Sequence, residues 1–198
     1  MDAMSTHVIF WRRLDVEGHD CCRLSPVDDG WSIEGVATFL HESQPTCLRY
    51  RVSCDTGWRT RSATVSGWLG DMPIELEIGR SANGAWQLNG VDQDAPAELV
   101  DLDLGFTPAT NILPIRRLAL SVGQETPAPA TYLAFPALHL EQLDQSYRRL
   151  GDSRYAYAAP RFDYEATLEV AEIGFITAYS GLWEAVGPVA SGTVEQSR

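Results

Sequence analysis

The sequence predicts an all-β protein, mainly antiparallel and with little helix. Three observations support this: apolar and polar residues alternate with a period of two through most of the chain, turn residues interrupt these runs about every ten residues, and helical spacing is rare between them. Such alternation indicates strands with one buried face. Strands that follow one another through short turns form an antiparallel meander, which must curl into a barrel, a half-barrel or a sandwich.

The strands are clearest in three segments. Residues 47–54, 74–78 and 162–170 place apolar side chains at every second position, with mostly polar ones between them. Glycine and asparagine adopt the positive φ of tight turns at low cost, so short clusters of such residues mark the hairpins. The predicted turns are Asp28-Asp29-Gly30, Asp55-Thr56-Gly57, Ala82-Asn83-Gly84 and Asn89-Gly90. Residues 137–150 fit both helical and strand spacing, and we interpret them as strand.

The length favours one domain. A chain of 198 residues can bury one sizeable core, and we predict a single domain over residues 1–198 with a frayed tail after residue 188. No run reaches the roughly 18 apolar residues that a transmembrane helix needs. Residues 1–14 lack the basic and apolar regions of a secretory signal, so the expected location is the cytoplasm.

The charge excludes several functions. The net charge of −12 reflects 15 cationic against 27 anionic side chains. Such a protein repels nucleic-acid phosphates, so we expect no nucleic-acid partner. All the cations are arginine, and the absence of lysine excludes a Walker-type phosphate loop, a pyridoxal Schiff base and a lysine general base. We expect no cofactor.

The cysteines and histidines predict no metal site. Cys21, Cys22, Cys47 and Cys54 lack the C-x-x-C spacing of zinc and redox sites, so we expect reduced thiols. The vicinal pair Cys21 and Cys22 would point to opposite faces of a strand. The four histidines are scattered singly and form no recognised metal motif.

One connection differs from the plain strands: residues 101–120, DLDLGFTPATNILPIRRLAL. Asp101 and Asp103 would lie on one face of a strand, where they could perform acid–base chemistry, hold a hard cation, or simply face water. Two prolines stiffen the loop that follows. We predict that Arg116 and Arg117 then lie on a strand and point to opposite faces, so that one of them reaches inward and pairs with Asp101 or Asp103.

Aromatic residues are the second unusual feature. The chain has six tryptophans and seven tyrosines. These side chains combine a broad apolar surface with a polar tip, which suits both a curved sheet's core and the wall of a cavity for an amphipathic ligand. Taken singly, each is more often a core residue.

Residues 100–104, VDLDL, and 107–118, TPATNILPIRRL, resemble the core signature of the glycolipid-binding family that was formerly a domain of unknown function. Further similar segments are Gly84-Ala85-Trp86, Leu88-Asn89-Gly90, Tyr132, Phe135-Pro136, residues 145–150, residues 154–157, Tyr179 and Trp183. The sequence departs at Glu98-Leu99, where the family often has Gly-Cys, which argues against a thiol role there. The resemblance implies one long antiparallel sheet curled as a half-barrel or open barrel, similar to periplasmic lipoprotein carriers. It also implies an apolar cavity for a glycolipid or another acyl-chain ligand.

We therefore predict a non-enzymatic protein that binds a glycolipid or other amphipathic acyl-chain ligand in an apolar cavity, with arginine and carboxylate groups orienting the head. The candidate ligand-binding residues are Trp31, Tyr50, Trp86, Asp101, Asp103, Thr107, Thr110, Asn111, Arg116, Arg117, Tyr147, Tyr155 and Tyr157. One alternative is a hydrolase acting on lipid or sugar, with Asp101 and Asp103 as acid and base. The other is a purely structural connection that fixes the curvature of the sheet.

Overall fold

The computed structural model describes residues 5–193, and every structural statement below concerns this part of the chain. It consists of eighteen strands, one α-helix and two 3₁₀ turns. The first nine strands are β1 Ser5–Arg13, β2 Gly18–Val27, β3 Gly30–His41, β4 Gln44–Asp55, β5 Thr60–Leu69, β6 Met72–Arg80, β7 Trp86–Leu88, β8 Val91–Asp92 and β9 Leu102–Leu104. The 3₁₀ turn Ala109–Asn111 and the helix α1 Ile112–Leu118 follow. The remaining elements are β10 Glu125–Pro127, β11 Ala130–Ala134, β12 His139–Leu143, β13 Ser146–Arg149, β14 Arg154–Ala159, the 3₁₀ turn Pro160–Phe162, β15 Tyr164–Val170, β16 Ile176–Tyr179, β17 Trp183–Ala185 and β18 Ala190–Thr193.

Fifteen strands form one antiparallel sheet, in the order β10-β13-β14-β15-β16-β17-β1-β2-β3-β4-β5-β6-β7-β8, with β18 also paired to β1. The all-β prediction is therefore confirmed, and the sheet is open, with β10 and β8 at its ends. A second sheet of three strands, β12-β11-β9, was not predicted. Its β9–β11 pair is parallel.

The burial of the strands follows the predicted alternation. In β4, Leu48 and Tyr50 are buried while Arg49 and Arg51 are exposed, and β6 alternates in the same way. The four predicted turns join β2 to β3, β4 to β5, β6 to β7 and β7 to β8. Residues 137–150 contain β12 and β13, so the strand interpretation is confirmed. The strand predicted to begin at position 162 begins at Tyr164, because Pro160–Phe162 form a 3₁₀ turn.

The large sheet is curved where it covers the connection of residues 101–120, but it is neither closed nor strongly curled. The Asn111 side chain donates a hydrogen bond to Tyr147 on β13, and the nearby Thr107 hydroxyl lies 3.2 Å from that of Tyr50 on β4. These two strands stand eight positions apart in the sheet, which in a flat sheet would separate them by about 38 Å. The sheet must therefore be curved, and the connection packs against its concave face.

The prediction that Arg116 and Arg117 lie on a strand is wrong, because both belong to α1. Pro114 is compatible with this helix since it lies in the first turn, where backbone N–H groups have no intrahelical partner. The helix ends at Ala119, which adopts the left-handed conformation with φ 44°. Its seven residues could not form a stable helix alone; burial of its apolar side chains against the sheet stabilises it.

Two further features concern the ends and the thiols. The tail that was predicted to fray after residue 188 forms β18, which pairs with β1; the rest of that tail, residues 194–198, lies outside the described residues. All four cysteines are free, with Cys21 exposed and Cys22 buried. Within residues 5–193, no helix is long and apolar enough to cross a membrane.

Candidate functional site

A pocket of about 300 Å³ lies beside β9, where the connection meets the strands β11, β14, β15 and β16. We call it the tyrosine pocket. Its polar lining consists of Asp103, Thr107, Asn111, Tyr132, Tyr157, Tyr164 and Tyr179. The remaining lining comes from Gly105, Pro108, Ala159, Phe162, Leu182 and Trp183. Four of the predicted residues, Asp103, Thr107, Asn111 and Tyr157, are thus brought together here.

Asp103 is the carboxylate of this pocket. It is the central residue of β9, whose flanking Leu102 and Leu104 are buried on the opposite side. The Asp103 side chain is half-buried, and no hydrogen bond or ion pair joins it to another side chain among residues 5–193. Burial raises the pKa of Asp103 to about 7, and the charge of Asp101 adds to the effect. Near neutral pH this carboxyl group can therefore accept or donate a hydrogen bond.

Asp101, two residues earlier, has quite different surroundings. Its buried carboxylate accepts two hydrogen bonds from Arg117, from Nε at 2.9 Å and from Nη2 at 2.5 Å. Burial raises the pKa of Asp101, while the hydrogen bonds from Arg117 oppose that rise. Asp101 and Arg117 are not among the residues that line the tyrosine pocket. The two carboxylates therefore do not face one cavity together, as an acid–base pair would have to do.

Three tyrosines from successive strands form one wall of the pocket. The ring centroids of Tyr157, Tyr164 and Tyr179 lie 5.7 to 6.4 Å apart. The Tyr157 hydroxyl donates to Gln145 Oε1 at 2.9 Å, and the Tyr164 hydroxyl donates to the Ser180 carbonyl at 2.6 Å. These contacts fix the rings before any ligand arrives, which lowers the entropy cost of binding.

Tyr132 bounds the pocket beside the carboxylate. It is the partner of Asp103 in the parallel β9–β11 pair. Its hydroxyl lies directly over Gly105, where a Cβ atom would collide with it. Burial, with a smaller effect of the Asp103 charge, raises the pKa of Tyr132 to about 12. Tyr132 therefore stays neutral and can donate a hydrogen bond at physiological pH.

A buried polar network lies behind the pocket. Tyr50 donates to Asp20 Oδ2 at 2.9 Å, and the Thr107 hydroxyl donates to the same oxygen. Burial raises the pKa of Asp20 to about 6, although both hydrogen bonds oppose the rise. Asn111 Nδ2 donates to the Tyr147 hydroxyl at 2.7 Å. The network joins the connection to β2, β4 and β13 and so holds the lining residues Thr107 and Asn111 in place.

The other predicted site residues do not line the pocket. Trp86 is fully buried and donates from Nε1 to the Leu99 carbonyl at 3.1 Å. The Thr110 hydroxyl accepts from the Leu104 N–H, and Trp31 stacks on Trp58.

Arg116 and Tyr155 lie in another part of the fold. The Arg116 guanidinium stands 5.3 Å from the centre of the Trp58 ring. Arg116 and Tyr155 together line a second pocket of about 390 Å³. Neither of these two candidates lines the tyrosine pocket.

Sequence reasoning missed several residues of the site. Those absent from the prediction are Asp20, Gly105, Pro108, Tyr132, Ala159, Phe162, Tyr164, Tyr179, Leu182 and Trp183. A signal existed for Asp20, which alternates with Cys22 and Leu24 and is thus a lone carboxylate on an apolar strand face. Tyr157, Tyr164 and Tyr179 come from the successive strands β14, β15 and β16. These strands are distant in sequence from β9, so no local pattern indicates that the tyrosines meet Asp103. In the described residues, no cluster of three or more histidine, cysteine or acidic side chains could hold a metal ion.

Comparison with known proteins gives two matches. The sequence profile of the family described as "Putative glycolipid-binding" matches residues 8–185. The fold is similar to the crystal structure of a DUF1089 family protein from Pseudomonas aeruginosa, with a TM-score of 0.74 and 30% sequence identity over 84% of this chain and 92% of that chain. Among curated proteins, none matches. Since the profile covers most of the chain, as the sequence resemblance predicted, the protein belongs to the family described as "Putative glycolipid-binding".

Proposed function

We propose that the protein binds the polar head of a glycolipid or other amphipathic acyl-chain molecule in the tyrosine pocket, without catalysis. One observation carries the proposal: Asp103 is half-buried, lines a preformed aromatic pocket, and has no side-chain partner within residues 5–193. A half-buried carboxylate that lines a pocket and has no side-chain partner can accept hydrogen bonds from a ligand. The family description supports the same ligand class.

The lining suits a hydroxylated ring. A carboxylate accepts hydrogen bonds from sugar hydroxyls, and tyrosine faces pack against the apolar face of a saccharide. A volume of about 300 Å³ is at the lower end of small-molecule sites, about 300 to 1,000 Å³, so the pocket accommodates one head group. The acyl chain would then leave past Leu182 and the half-exposed Phe162, where each buried methylene contributes about 0.8 kcal/mol.

A hydrolase with Asp101 and Asp103 as acid and base has less support. Asp101 is engaged by Arg117 and does not line the pocket. The pKa of Asp103, which burial raises to about 7, would suit one proton-transfer group, but the second group of the pair is missing there. Incubation with octyl glucoside and an acyl ester, followed by product analysis, would reveal hydrolysis.

The binding proposal is tested by titrating octyl β-glucoside into the protein, with calorimetry and tryptophan fluorescence as readouts, since Trp183 lines the pocket. The Asp103→Ala variant should lose roughly tenfold or more in affinity, because it removes a charge-assisted hydrogen bond. The Asp71→Ala variant is the control, since Asp71 is exposed and outside the pocket. An affinity that is the same in the wild type and in Asp103→Ala would contradict the proposal.

A further inference from the structure

We propose that the head group bound in the tyrosine pocket carries a positive charge, as an amine-bearing sugar does, and that Asp103 is its counter-ion. The inference rests on the proposed function and narrows the ligand to one chemical class.

The charge of Asp103 is not compensated by the strands around the pocket. On its own strand, Asp101 is also acidic and is already neutralised by Arg117. Across the pocket, β11, β14, β15 and β16 present only tyrosine hydroxyls. An ionised carboxylate in such surroundings needs a cation, and the described part of the fold does not provide one.

Two arginines next to lining residues of the pocket are engaged elsewhere. Arg161, next to the lining residue Phe162, pairs with Glu141 at 2.9 Å. Arg13, whose guanidinium lies 5.3 Å from the centre of the Trp183 ring, pairs with Asp15 at 2.8 Å. Neither forms an ion pair with Asp103, so the charge remains available to a ligand.

Several lining residues donate their hydrogen bonds to protein groups and not into the pocket. Tyr157 and Tyr164 use their hydroxyl hydrogens on Gln145 and on the Ser180 carbonyl, and Asn111 uses one amide hydrogen on Tyr147. The oxygens of Asp103, Tyr157 and Tyr164 are therefore left as acceptors in the pocket. They outnumber the remaining hydroxyl donors, which are Tyr132 and Tyr179. An ammonium group has three donors and no acceptor, which matches this balance better than a hydroxyl group does.

The aromatic wall of the pocket also favours a cation. The faces of tyrosine rings are negative and attract cations within about 6 Å of the ring centre. The rings of Tyr157, Tyr164 and Tyr179 form a continuous wall next to the carboxylate. The Asp103 carboxylate and the faces of the tyrosine rings therefore both attract a bound cation.

The test compares two ligands that differ in one group, octyl β-glucoside and octyl 6-amino-6-deoxy-β-glucoside. At pH 8 Asp103 is mostly ionised, since burial sets its pKa at about 7, while a primary alkylamine remains largely protonated. In the wild type, calorimetry should show about tenfold tighter binding of the amino glycoside. In the Asp103→Asn variant the ratio of the two affinities should fall to about one, whereas the control Asp71→Asn should keep the wild-type ratio.

The pH dependence gives a second readout. Below pH 6 the Asp103 carboxyl takes up a proton, so the preference for the amino glycoside should decrease in the wild type. If the wild type binds both glycosides equally at pH 8, or if Asp103→Asn keeps the preference for the amino glycoside, the inferred positive charge of the head group is wrong. The proposed binding function would still stand. If neither glycoside binds, the proposed function fails together with the inferred charge.

Discussion

Asp20 and Asp103 are two enclosed carboxylates that differ in whether other side chains donate hydrogen bonds to them. Asp20 is fully buried and accepts hydrogen bonds from Tyr50 and Thr107. Asp103 has no such partner within residues 5–193 and lines the tyrosine pocket. The first group therefore belongs to the packing of the connection, and the second is available to a ligand.

Replacement of Asp20 by asparagine should change how stability depends on pH. Because burial raises the pKa of Asp20 from 3.8 to about 6, the folded state binds more protons than the unfolded state between these pH values. The contribution of Asp20 to the unfolding free energy therefore decreases as pH rises from about 4 to 6, by at most about 3 kcal/mol. Asparagine cannot ionise, so Asp20→Asn should show a smaller decrease.

Urea unfolding at a series of pH values measures this slope. The exposed Asp71→Asn substitution serves as the control and should keep the wild-type slope. A slope in Asp20→Asn that equals the wild-type slope would disprove the assignment, whatever the absolute stability of the variant.

At the scale of elements, the connection of residues 101–120 positions the site. The backbone N–H of Leu102 donates to Thr60 Oγ1 at 3.1 Å, and that of Thr60 donates to the Val100 carbonyl at 2.9 Å, so β9 is anchored to the start of β5. The ion pair of Asp101 with Arg117 then joins the start of β9 to the end of α1. The position of Asp103 therefore depends on contacts made by its neighbours.

The Asp101–Arg117 pair should be important for stability. Arg117→Ala leaves a buried, unpaired carboxylate and should lower the unfolding free energy by about 3 kcal/mol. The double variant Asp101→Leu with Arg117→Met should be more stable than Arg117→Ala, because it leaves no unpaired charge. Denaturant unfolding measures both.

An exposed ion pair provides the matched control. Arg12 and Glu184 are separated by 2.8 Å, and their side chains are 57% and 54% exposed. Arg12→Ala should therefore cost less than about 1 kcal/mol. An equal loss in Arg12→Ala and Arg117→Ala would contradict the structural role given to the buried pair.

At the scale of the whole molecule, the large sheet was predictable because each strand is indicated by the alternation of apolar and polar residues within a few consecutive positions. The alternation in residues 47–54 and 74–78 directly reports which side chains face the core. The helix α1 was not predictable in this way, since its seven residues are helical through packing and its sequence includes a proline. The tyrosine pocket was only partly predictable, because Tyr164 and Tyr179 line it together with Asp103, which is about 60 residues or more away in sequence.

Hydrogen exchange should reflect the layout of the sheet. β3 and β4 each have twelve residues and a partner strand on both sides, whereas β8 has two residues and ends the sheet. Amides in β3 and β4 should therefore exchange only through global unfolding, while those in β8 exchange through local opening. Mass spectrometry of peptic fragments measures this difference. Similar protection of β8 and β3 would contradict the expectation.

The small size of the tyrosine pocket has a consequence for any long-chain ligand. A head that fills the pocket leaves most of its hydrocarbon in water, and exposed hydrocarbon adsorbs to other apolar material. We expect the occupied protein, but not the empty one, to associate with detergent micelles and vesicles. Ligand binding would then cause the protein to associate with apolar surfaces, and release of the ligand would allow it to dissociate from them.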